Sequence, residues 1–374
     1  MARAILAEAL EAQERAPARP WAGFWRWLDE RLGLDALSYP VPAHANSLAY
    51  TLGGITAFGM LVLVVTGVYL AQFYHPHPAD ARDSVIYIVD RARLGEFMRS
   101  VHFWTANLVV ITVLLHLVRV YVTGAYKPPR EVNWLVGLAM FAVTLGLVFT
   151  GSVLKWDQEG WEALQHNQEI GKLLGGLGSF FTNDFTSSVP LLNRLYVAHI
   201  AIMPMLLFAL LGLHFWLVKR HGVSSPPGRD EARRPGQSDT EAAIQREGSA
   251  PFSSHLRHIL GYGLLLTALG GALTLFYAAP LGPEVEPGIE VTKPPWMFLP
   301  LYPFEDWFGV RALLVAPMVL FGLLATVPFL DGSPFRALRQ RKLLLLVGMA
   351  FVLALVALAI YARVSTPEAH VMEG

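Results

Sequence analysis

The chain of 374 residues contains no cysteine, and charged residues make up only 16% of it. The absence of cysteine excludes disulfide bonds, an iron–sulfur cluster held by cysteines and covalent attachment of haem within this chain. Lysine plus arginine number 29, as do aspartate plus glutamate, so no excess of charge points to nucleic acid. Residues 1–20 lack an apolar run, so we predict no cleavable signal sequence there.

Apolar sequence, by contrast, is abundant. Hydrophobic residues make up 54% of the chain and the mean hydropathy is +0.43, values typical of a polytopic membrane protein. A helix of about 20 apolar residues crosses a bilayer, and such stretches lie at residues 47–73, 102–122, 134–154, 196–219, 258–280, 311–330 and 342–362. We therefore predict an all-α, polytopic transmembrane helix bundle with about seven spans.

Composition divides the chain into four parts. Residues 1–46 contain WAGFWRWLDERLGLDAL, whose helical alternation of apolar and charged residues predicts an amphipathic helix on the membrane surface. Residues 47–220 hold the first four spans. Residues 221–254 are rich in Pro, Gly and Ser and predict a polar linker. Residues 255–374 form a three-span half, whose first two spans are joined by the proline-rich loop 281–310.

Lysine and arginine predict the orientation of the chain. More of them fall on one side of the predicted membrane, in the N-terminal segment and in residues 219–246 and 336–342. We therefore predict an integral protein of a bacterial or archaeal cytoplasmic membrane, with the N-terminus in the cytoplasm.

Two of the predicted spans carry two histidines each. His102 and His116 lie fourteen residues apart, which in an α-helix is about 21 Å along the axis and within about 40° of one face. His199 and His214 lie fifteen residues apart, about 22 Å along the axis and about 60° out of register. Two facing helices of this kind place one pair of imidazoles near each side of the membrane. A flat ligand held on both faces by imidazole is a haem.

Two other protein classes and one other metal are alternatives to this interpretation. A transporter with a histidine proton relay also places histidines inside membrane helices. A di-haem membrane anchor of a dehydrogenase or hydrogenase would use the same histidines, but it would need neither the loop 281–310 nor the three-span half. Zinc is a weaker alternative, because histidines fourteen residues apart on one helix cannot converge on one ion.

Glycines repeat the histidine interval. Gly53 and Gly67 lie fourteen residues apart in the first span, and Gly137 and Gly151 fourteen apart in the third. A haem edge packed against a helix needs a position without a side chain, so these glycines are predicted to line the haems. The alternative is the ordinary packing of small residues between membrane helices.

Six segments carry a resemblance to a known family: LGGITAFGMLVLVVTG, RSVHFWTANLVVITVLLHLVRVYVTGAYKPPRE, KWDQEGW, NRLYVAHIAIMPMLLFALLGLHFW, KPPW and TVPFLDG. They resemble cytochrome b of the quinol-oxidising cytochrome bc complexes, from about Trp25 over nearly the whole chain. The fifteen-residue histidine step is similar to the photosynthetic-type branch. In that branch the four-span and three-span halves are separate chains, whereas here they are fused.

The resemblance implies two non-covalent haem b groups. His102 with His199 would ligate the iron of the outer haem, and His116 with His214 that of the inner haem. Buried arginines near carboxylates would neutralise the haem propionates; they are Arg99, Arg119 and Arg194. For Arg119, snorkelling to the membrane interface remains an alternative.

The resemblance also implies two quinone pockets. The outer pocket would be formed by the loop 281–310 and the connection after the third span. The inner pocket would lie at the cytoplasmic end of the fourth span and the start of the fifth, near Lys219 and His258. The family's outer signature is usually Pro-Glu-Trp-Tyr, but here the four positions are Pro294, Pro295, Trp296 and Met297.

The missing glutamate leaves the outer pocket without its usual proton acceptor, because Pro295 has no ionisable group. Trp296 still offers a flat apolar face and an indole N–H. Four acids are candidates for the proton route: Asp157, Glu290, Glu305 and Asp306. We expect at least one of them to face the pocket.

The function that the resemblance implies is that of the haem-carrying subunit of a quinol:cytochrome c (or similar acceptor) oxidoreductase. Quinol would be oxidised on the outer side, and one electron would pass through two haems to a quinone site on the cytoplasmic side, with proton translocation. The expected partners are a Rieske-type iron–sulfur protein, a c-type cytochrome, quinol and quinone (menaquinone rather than ubiquinone), lipid and a second copy of the chain.

Overall fold

The computed structural model describes residues 22–33, 38–227, 238–333 and 335–366. Twelve helices in this part are labelled in chain order: α1 Ala22–Leu32, α2 Leu48–Ala71, α3 Ala81–Asp90, α4 Gly95–Thr123, α5 Glu131–Val153, α6 Gln158–Leu173, α7 Leu191–His221, α8 Asp239–Glu247, α9 Phe252–Phe276, α10 Tyr302–Phe308, α11 Arg311–Leu330 and α12 Lys342–Val364. Two short strands, β1 Pro40–Pro42 and β2 Ser249–Pro251, pair antiparallel. Short 3₁₀ turns complete the described secondary structure.

Seven of these helices are long and apolar enough to cross a membrane: α2, α4, α5, α7, α9, α11 and α12. The predicted all-α polytopic bundle with about seven spans is therefore confirmed, and the chain is an integral membrane protein. Three spans differ most from the predicted boundaries, and one of them, α7, begins at Leu191 rather than at 196. Helix α4 begins at Gly95 rather than at 102, and α9 covers Phe252–Phe276 rather than 258–280.

The four helices of the first half pack as two close pairs, α2 with α4 and α5 with α7, and α9 lies against α2 and α4. Met60, Val109 and Leu207 are buried together in the middle of this bundle. Val109 lies seven residues from both His102 and His116. This apolar layer therefore separates the two levels at which the histidines lie.

The fourth span contains one turn of π-helix at Ala198–Ile202, which includes His199. A π turn holds one more residue than an α turn, so it absorbs the extra residue between His199 and His214. Pro204 follows this turn and has no N–H to donate to the carbonyl four residues back. The expected 60° offset is removed locally, and both histidines reach the same side of α7.

The two ends of the bundle are named by what they carry. The loop end carries the loop 281–310 and helix α6, and the linker end carries the described parts of the predicted linker 221–254. These parts are folded: Ser238 caps α8 with a capping box, and β2 pairs with β1. His44, which follows β1, contacts the Glu247 carboxylate at the end of α8. The end of this linker is therefore attached to the chain before the first span.

Buried ion pairs join the two halves at the linker end. Asp239 of α8 contacts Arg130, which precedes α5, at 2.8 Å and Arg336, which precedes α12, at 2.9 Å. Burial alone would raise the pKa of Asp239, but Arg336 and Arg130 lower it to about 2. Asp331, after α11, likewise contacts Lys127 of the first half at 2.8 Å and Arg341 at 3.2 Å. Lysines and arginines that predict the orientation are thus also structural partners.

Candidate haem pockets and the loop that packs on them

The structure brings the four histidines together in the predicted pairs. The ring centroids of His102 and His199 are 6.3 Å apart, and those of His116 and His214 are 6.5 Å apart. A metal ion between two rings needs two bonds of about 2 Å, to which each ring adds about 1 Å, giving about 6 Å in all. Both pairs therefore have the separation that one iron ion with two axial imidazoles requires.

Each predicted glycine lies against one of these histidine rings. A Cβ on Gly53 would be 3.1 Å from Cε1 of His116, and a Cβ on Gly151 would be 3.1 Å from Cε1 of His199. The corresponding distance is 3.4 Å for Gly67 to His102 and 3.7 Å for Gly137 to His214, a looser contact. The glycines thus let a ring approach the backbone of the neighbouring span, a contact that the prediction had assigned to the haem edge.

Threonine hydroxyls orient the rings of the loop-end pair. Nδ1 of His102 lies 2.9 Å from Oγ1 of Thr66, and Nδ1 of His199 lies 2.9 Å from Oγ1 of Thr150. Each hydroxyl gives its own proton to a backbone carbonyl of its helix, so it accepts from the imidazole Nδ1–H. This leaves Nε2 unprotonated and free to bind a metal ion. In the linker-end pair, Nδ1 of His116 is buried without a hydrogen bond to any described residue.

The three predicted propionate partners differ in how they are engaged. Arg99 donates to the carbonyl oxygens of Ala279 and Pro280, each at 2.7 Å, and so binds the chain that leads into the loop. Arg194 donates to the carbonyl oxygens of Phe180 and Thr182. The guanidinium of Arg119 lies 3.6 Å from the centroid of the Tyr50 ring. Its buried Nε makes no hydrogen bond to the described residues, so Arg119 keeps a donor for an anionic group.

Helix α6 holds the loop 281–310 through three polar side chains. Asp157 caps α6 at the Gly160 N–H and also accepts from Gly282 N–H at 2.8 Å. The Gln158 side chain accepts from the backbone N–H of Glu286 and donates to the carbonyl oxygen of Ile289. These hydrogen bonds fix which loop residues lie beside each residue of α6.

The third of these side chains is Glu162, which is 3% exposed. Its carboxylate accepts from the backbone N–H groups of Val291 and Thr292 at 2.9 and 3.0 Å, and also from the Thr292 hydroxyl. The amide of Gln158 donates to it from within α6. All of these donors bind one buried carboxylate, which anchors the loop immediately before Lys293-Pro294.

The segment Pro294–Trp296 lies against the second span. The indole N–H of Trp296 donates to the Asn107 side-chain oxygen at 2.7 Å. Asn107 is five residues from His102, about 7.5 Å along the helix axis. Trp104 binds the Tyr277 carbonyl oxygen in the same region. The predicted outer pocket segment is therefore positioned beside the loop-end histidine pair.

The four candidate acids have different surroundings. Asp157 is fully buried as a helix cap and loop anchor. Glu290 and Glu305 are both buried and lie at 3.1 and 3.0 Å from Nε2 of one imidazole, that of His166 on α6. Asp306, next to Glu305, is half-buried. His166 was not among the sequence-based candidates.

The residues predicted for the inner quinone pocket lie at the linker end but make few contacts. Lys219 is exposed, and its Nζ is 5.6 Å from the centroid of the Tyr39 ring. His258, near the start of α9, is exposed, and its Nδ1 donates to the Ser254 carbonyl oxygen at 2.8 Å. Their role in binding quinone stays a prediction.

Comparison with known proteins identifies the family. The family described as Cytochrome b/b6/petB matches residues 36–222, which hold α2, α4, α5, α7 and all four paired histidines. The chain belongs to the cytochrome b/b6 family. The family implies haem b, so the two histidine pairs have a cofactor that fits their separation.

Relatives of this cytochrome b/b6 chain cover its first half. Cytochrome b6 of Heliobacterium mobile is 38% identical over 210 residues, which are 54% of this chain and 99% of the relative. The menaquinol:cytochrome c reductase cytochrome b subunit of Bacillus subtilis (strain 168) is 33% identical over 216 residues, 54% of this chain and 96% of the relative. Both similarities thus concern the half that contains the paired histidines.

A solved structure extends the similarity in fold to both halves of this cytochrome b/b6 chain. The protein described as a hyperthermophilic respiratory Complex III superposes with a TM-score of 0.73 and covers 91% of this chain and 92% of its own chain. The sequences are 24% identical. The seven-span arrangement is therefore shared by a known structure.

Several residues of the site were missed by the sequence-based predictions. Thr66 and Thr150 directly precede Gly67 and Gly151, whereas leucine and valine precede the two linker-end glycines. This difference between the two pairs of glycines is visible in the sequence. Gln158, Glu162 and His166 repeat every four residues, which places three polar side chains on one face of α6. That pattern indicates a partner for this face but does not say which segment it is.

Proposed function

We propose that this chain is the haem b-carrying subunit of a quinol:cytochrome c-type reductase. Quinol is oxidised at the loop end and quinone is reduced at the linker end. The observation that carries the proposal is the presence of two histidine pairs, 6.3 and 6.5 Å apart, at two levels of one bundle. Haem iron supplies reversible one-electron transfer between the two ends.

The chain's own residues hold the cofactors and set their surroundings. His102 and His199 ligate the loop-end haem, and Thr66 and Thr150 set the tautomer of these ligands. His116 and His214 ligate the linker-end haem. Arg119 is the propionate partner that the geometry supports best. Arg99 and Arg194 donate to backbone carbonyl oxygens, whereas Arg119 lies against the Tyr50 ring and its Nε has no partner among the described residues.

The loop end supplies the quinol pocket. Trp296 is held beside the second span by Asn107, and Pro294 and Pro295 make this segment a stiff wall, because proline fixes φ and lacks an N–H. Glu162 and Asp157 hold the rest of the loop on α6. The reduced naphthoquinone class is the proposed substrate, since a relative from B. subtilis is a menaquinol:cytochrome c reductase subunit.

The linker end supplies the quinone-reducing pocket, with Lys219 and His258 beside it, and faces the cytoplasm, as the distribution of lysine and arginine predicts. The N-terminus then lies in the cytoplasm, and quinol oxidation releases protons outside. The proposed partners are a Rieske-type iron–sulfur protein, a c-type cytochrome and a second copy of this chain. Residues 47–220 and 255–374 are the proposed functional halves.

The visible spectrum of the purified holoprotein and its reduction by a naphthoquinol test this function. We expect two b-type haems per chain, both reduced by quinol. His102→Ala or His199→Ala removes the loop-end component, and His116→Ala or His214→Ala removes the other. A protein without haem supports the transporter alternative, and haem that quinol does not reduce supports a membrane anchor for another dehydrogenase.

A further inference from the structure

A buried imidazole lies between two buried carboxylates at the loop end. Nε2 of His166 is 3.1 Å from Oε1 of Glu290 and 3.0 Å from Oε1 of Glu305. Nδ1 of the same ring donates to the Glu162 carbonyl oxygen at 2.7 Å, so Nε2 is the nitrogen that faces the carboxylates. Helix α6, the loop and α10 each supply one member of this group, which we call the His166 cluster (His166, Glu290 and Glu305).

The net charge of the His166 cluster allows it to bind one more proton. Burial alone would lower the pKa of His166, but Glu290 and Glu305 raise it to about 10, so the ring is positively charged at neutral pH. One imidazolium between two carboxylates has a net charge of −1. The two carboxylates are at most about 6 Å apart in a buried site, where each disfavours the charge of the other. A proton added to either carboxyl group makes the cluster neutral.

The neighbouring charged groups have partners of their own. The Glu162 carboxylate is held by backbone N–H groups, Lys293 donates to the carbonyl oxygens of Ala362 and Arg363, and Glu169 pairs with Lys172. The other charged groups on the elements packed here are Glu159, Glu284, Glu286, Asp306, Arg311 and Arg363. Glu159 pairs with Lys155 at 3.0 Å, on the first turn of α6.

The His166 cluster lies close in the chain to the proposed quinol pocket segment and about one helical turn from residues that line an open cavity. Glu290 is four residues from Pro294, so the two are within about 14 Å of each other. An open cavity of about 280 Å³ is lined by the next turn of α6, the end of α10 and the start of α11. Its lining residues include Glu169, Phe308 and Arg311.

We propose that the His166 cluster accepts one of the two protons released when quinol is oxidised at the loop end, and passes it to water through this cavity. This proposal rests on the proposed function. Oxidation of quinol to quinone releases two electrons, which go to the iron–sulfur and haem acceptors of that function, and two protons. One proton adds to a carboxylate of the cluster, whose charge changes from −1 to 0, and leaves before the next turnover.

Quinol oxidation by the holo-complex, measured against pH with 2,3-dimethyl-1,4-naphthoquinol and cytochrome c, tests the proposal. We expect the double variant Glu290→Gln, Glu305→Gln to slow oxidation about 100-fold, the lower end of the range in which positioned acids and bases act, and each single change to cause a smaller loss because the other carboxylate remains. Both haems remain, and the pH profile shifts. Glu284→Gln, which changes an exposed carboxylate in the same loop, keeps the original rate and profile.

Infrared difference spectra separate proton uptake from a structural role. On quinol addition, we expect a protonated-carboxyl band that shifts in D₂O and is lost in the double variant. Glu305→Asp keeps a carboxylate and is expected to keep the band and the shape of the pH profile. If the double variant retains the original rate and profile, or slows with an unchanged profile and band, the proposal is overturned. If quinol fails to reduce the haem of the unaltered protein, the proposed function itself fails.

Discussion

Oγ1 of Thr150 lies 2.9 Å from Nδ1 of His199 and gives its own proton to the Gly146 carbonyl oxygen. Thr66 makes the same contact with His102. An acceptor on Nδ1–H makes the imidazole a more basic ligand and holds its orientation. In the linker-end pair, Nδ1 of His116 has no such acceptor among the described residues. The two pockets thus differ in the electron density that their ligands supply.

The double variant Thr66→Val, Thr150→Val tests this difference. Both Nδ1–H groups lose their acceptor, so we expect the loop-end haem to bind about 10–100-fold more weakly, and its midpoint potential to rise. Redox titration and haem titration measure the two effects. Thr144→Val is the control, because that hydroxyl bonds only a backbone carbonyl of α5 in the described contacts. A shift confined to the linker-end haem contradicts the assignment.

The glycine contacts predict a change in haem stoichiometry. Gly151→Leu places a branched side chain where a Cβ alone would already be 3.1 Å from the His199 ring. We expect the chain to retain one haem instead of two, measured by extraction and quantification of haem. Gly212→Leu on α7 meets no atom within 4 Å of the new Cβ and is expected to keep both. Two haems in the Gly151 variant would show that the ring tolerates displacement.

Trp296→Phe tests how the loop is positioned. An aromatic ring is kept, but the indole N–H that binds Asn107 is lost. The loss of this hydrogen bond costs about 1 kcal/mol, a factor of about five in an equilibrium constant. We expect the KM for quinol to rise by about this factor while haem content is unchanged. Trp307→Phe, at an exposed tryptophan of α10, serves as the control. An unchanged KM would mean that the loop is held by α6 alone.

Asp239→Asn tests the contact between the two halves. The change leaves Arg130 and Arg336 buried without their carboxylate, and we expect the free energy of unfolding to fall by about 3–5 kcal/mol. Asp90→Asn, at an exposed acid, is the control. Thermal unfolding in detergent measures both variants.

The same carboxylate predicts a dependence on pH. Its pKa is lower in the folded chain, at about 2, than the ordinary value of 3.8, so its contribution is present above pH 3.8 and is lost as the pH falls towards 2. We expect the difference in stability between the unaltered chain and the Asp239→Asn variant to narrow over that range. A constant difference would mean that Asp239 does not stabilise the fold through its charge.

The spans and the histidine pairs were predictable because each rests on a strong local signal. A run of about 20 apolar residues is detected without tertiary information. The predicted span boundaries were less accurate where a helix extends into residues of low hydropathy. Glu96 and Arg99 reduce the hydropathy of the first turns of α4, yet the helix includes them. Helix α9 ends at Phe276 and Pro280 follows four residues later, within the short distance past a helix end at which proline is a common stop signal.

The surroundings of the outer pocket were not predictable in the same way. Glu162 and the backbone that it binds are about 130 residues apart in the chain, so only the packed bundle brings them together. The His166 cluster depends on the same register. The extra residue between His199 and His214 was visible in the sequence, but its accommodation by a π turn depends on the local hydrogen bonding of α7.

The ion pairs of Asp239 and Asp331 have a consequence for assembly. They join residues before the third span to residues after the sixth, and β1 joins β2 across the first four spans. These contacts do not require the peptide chain to be continuous between residues 227 and 238. Two co-expressed fragments divided there are therefore expected to associate in the membrane with the loop still seated on α6. Covalent fusion would then set the equal stoichiometry of the halves and raise their effective concentration, while the buried charges set their alignment.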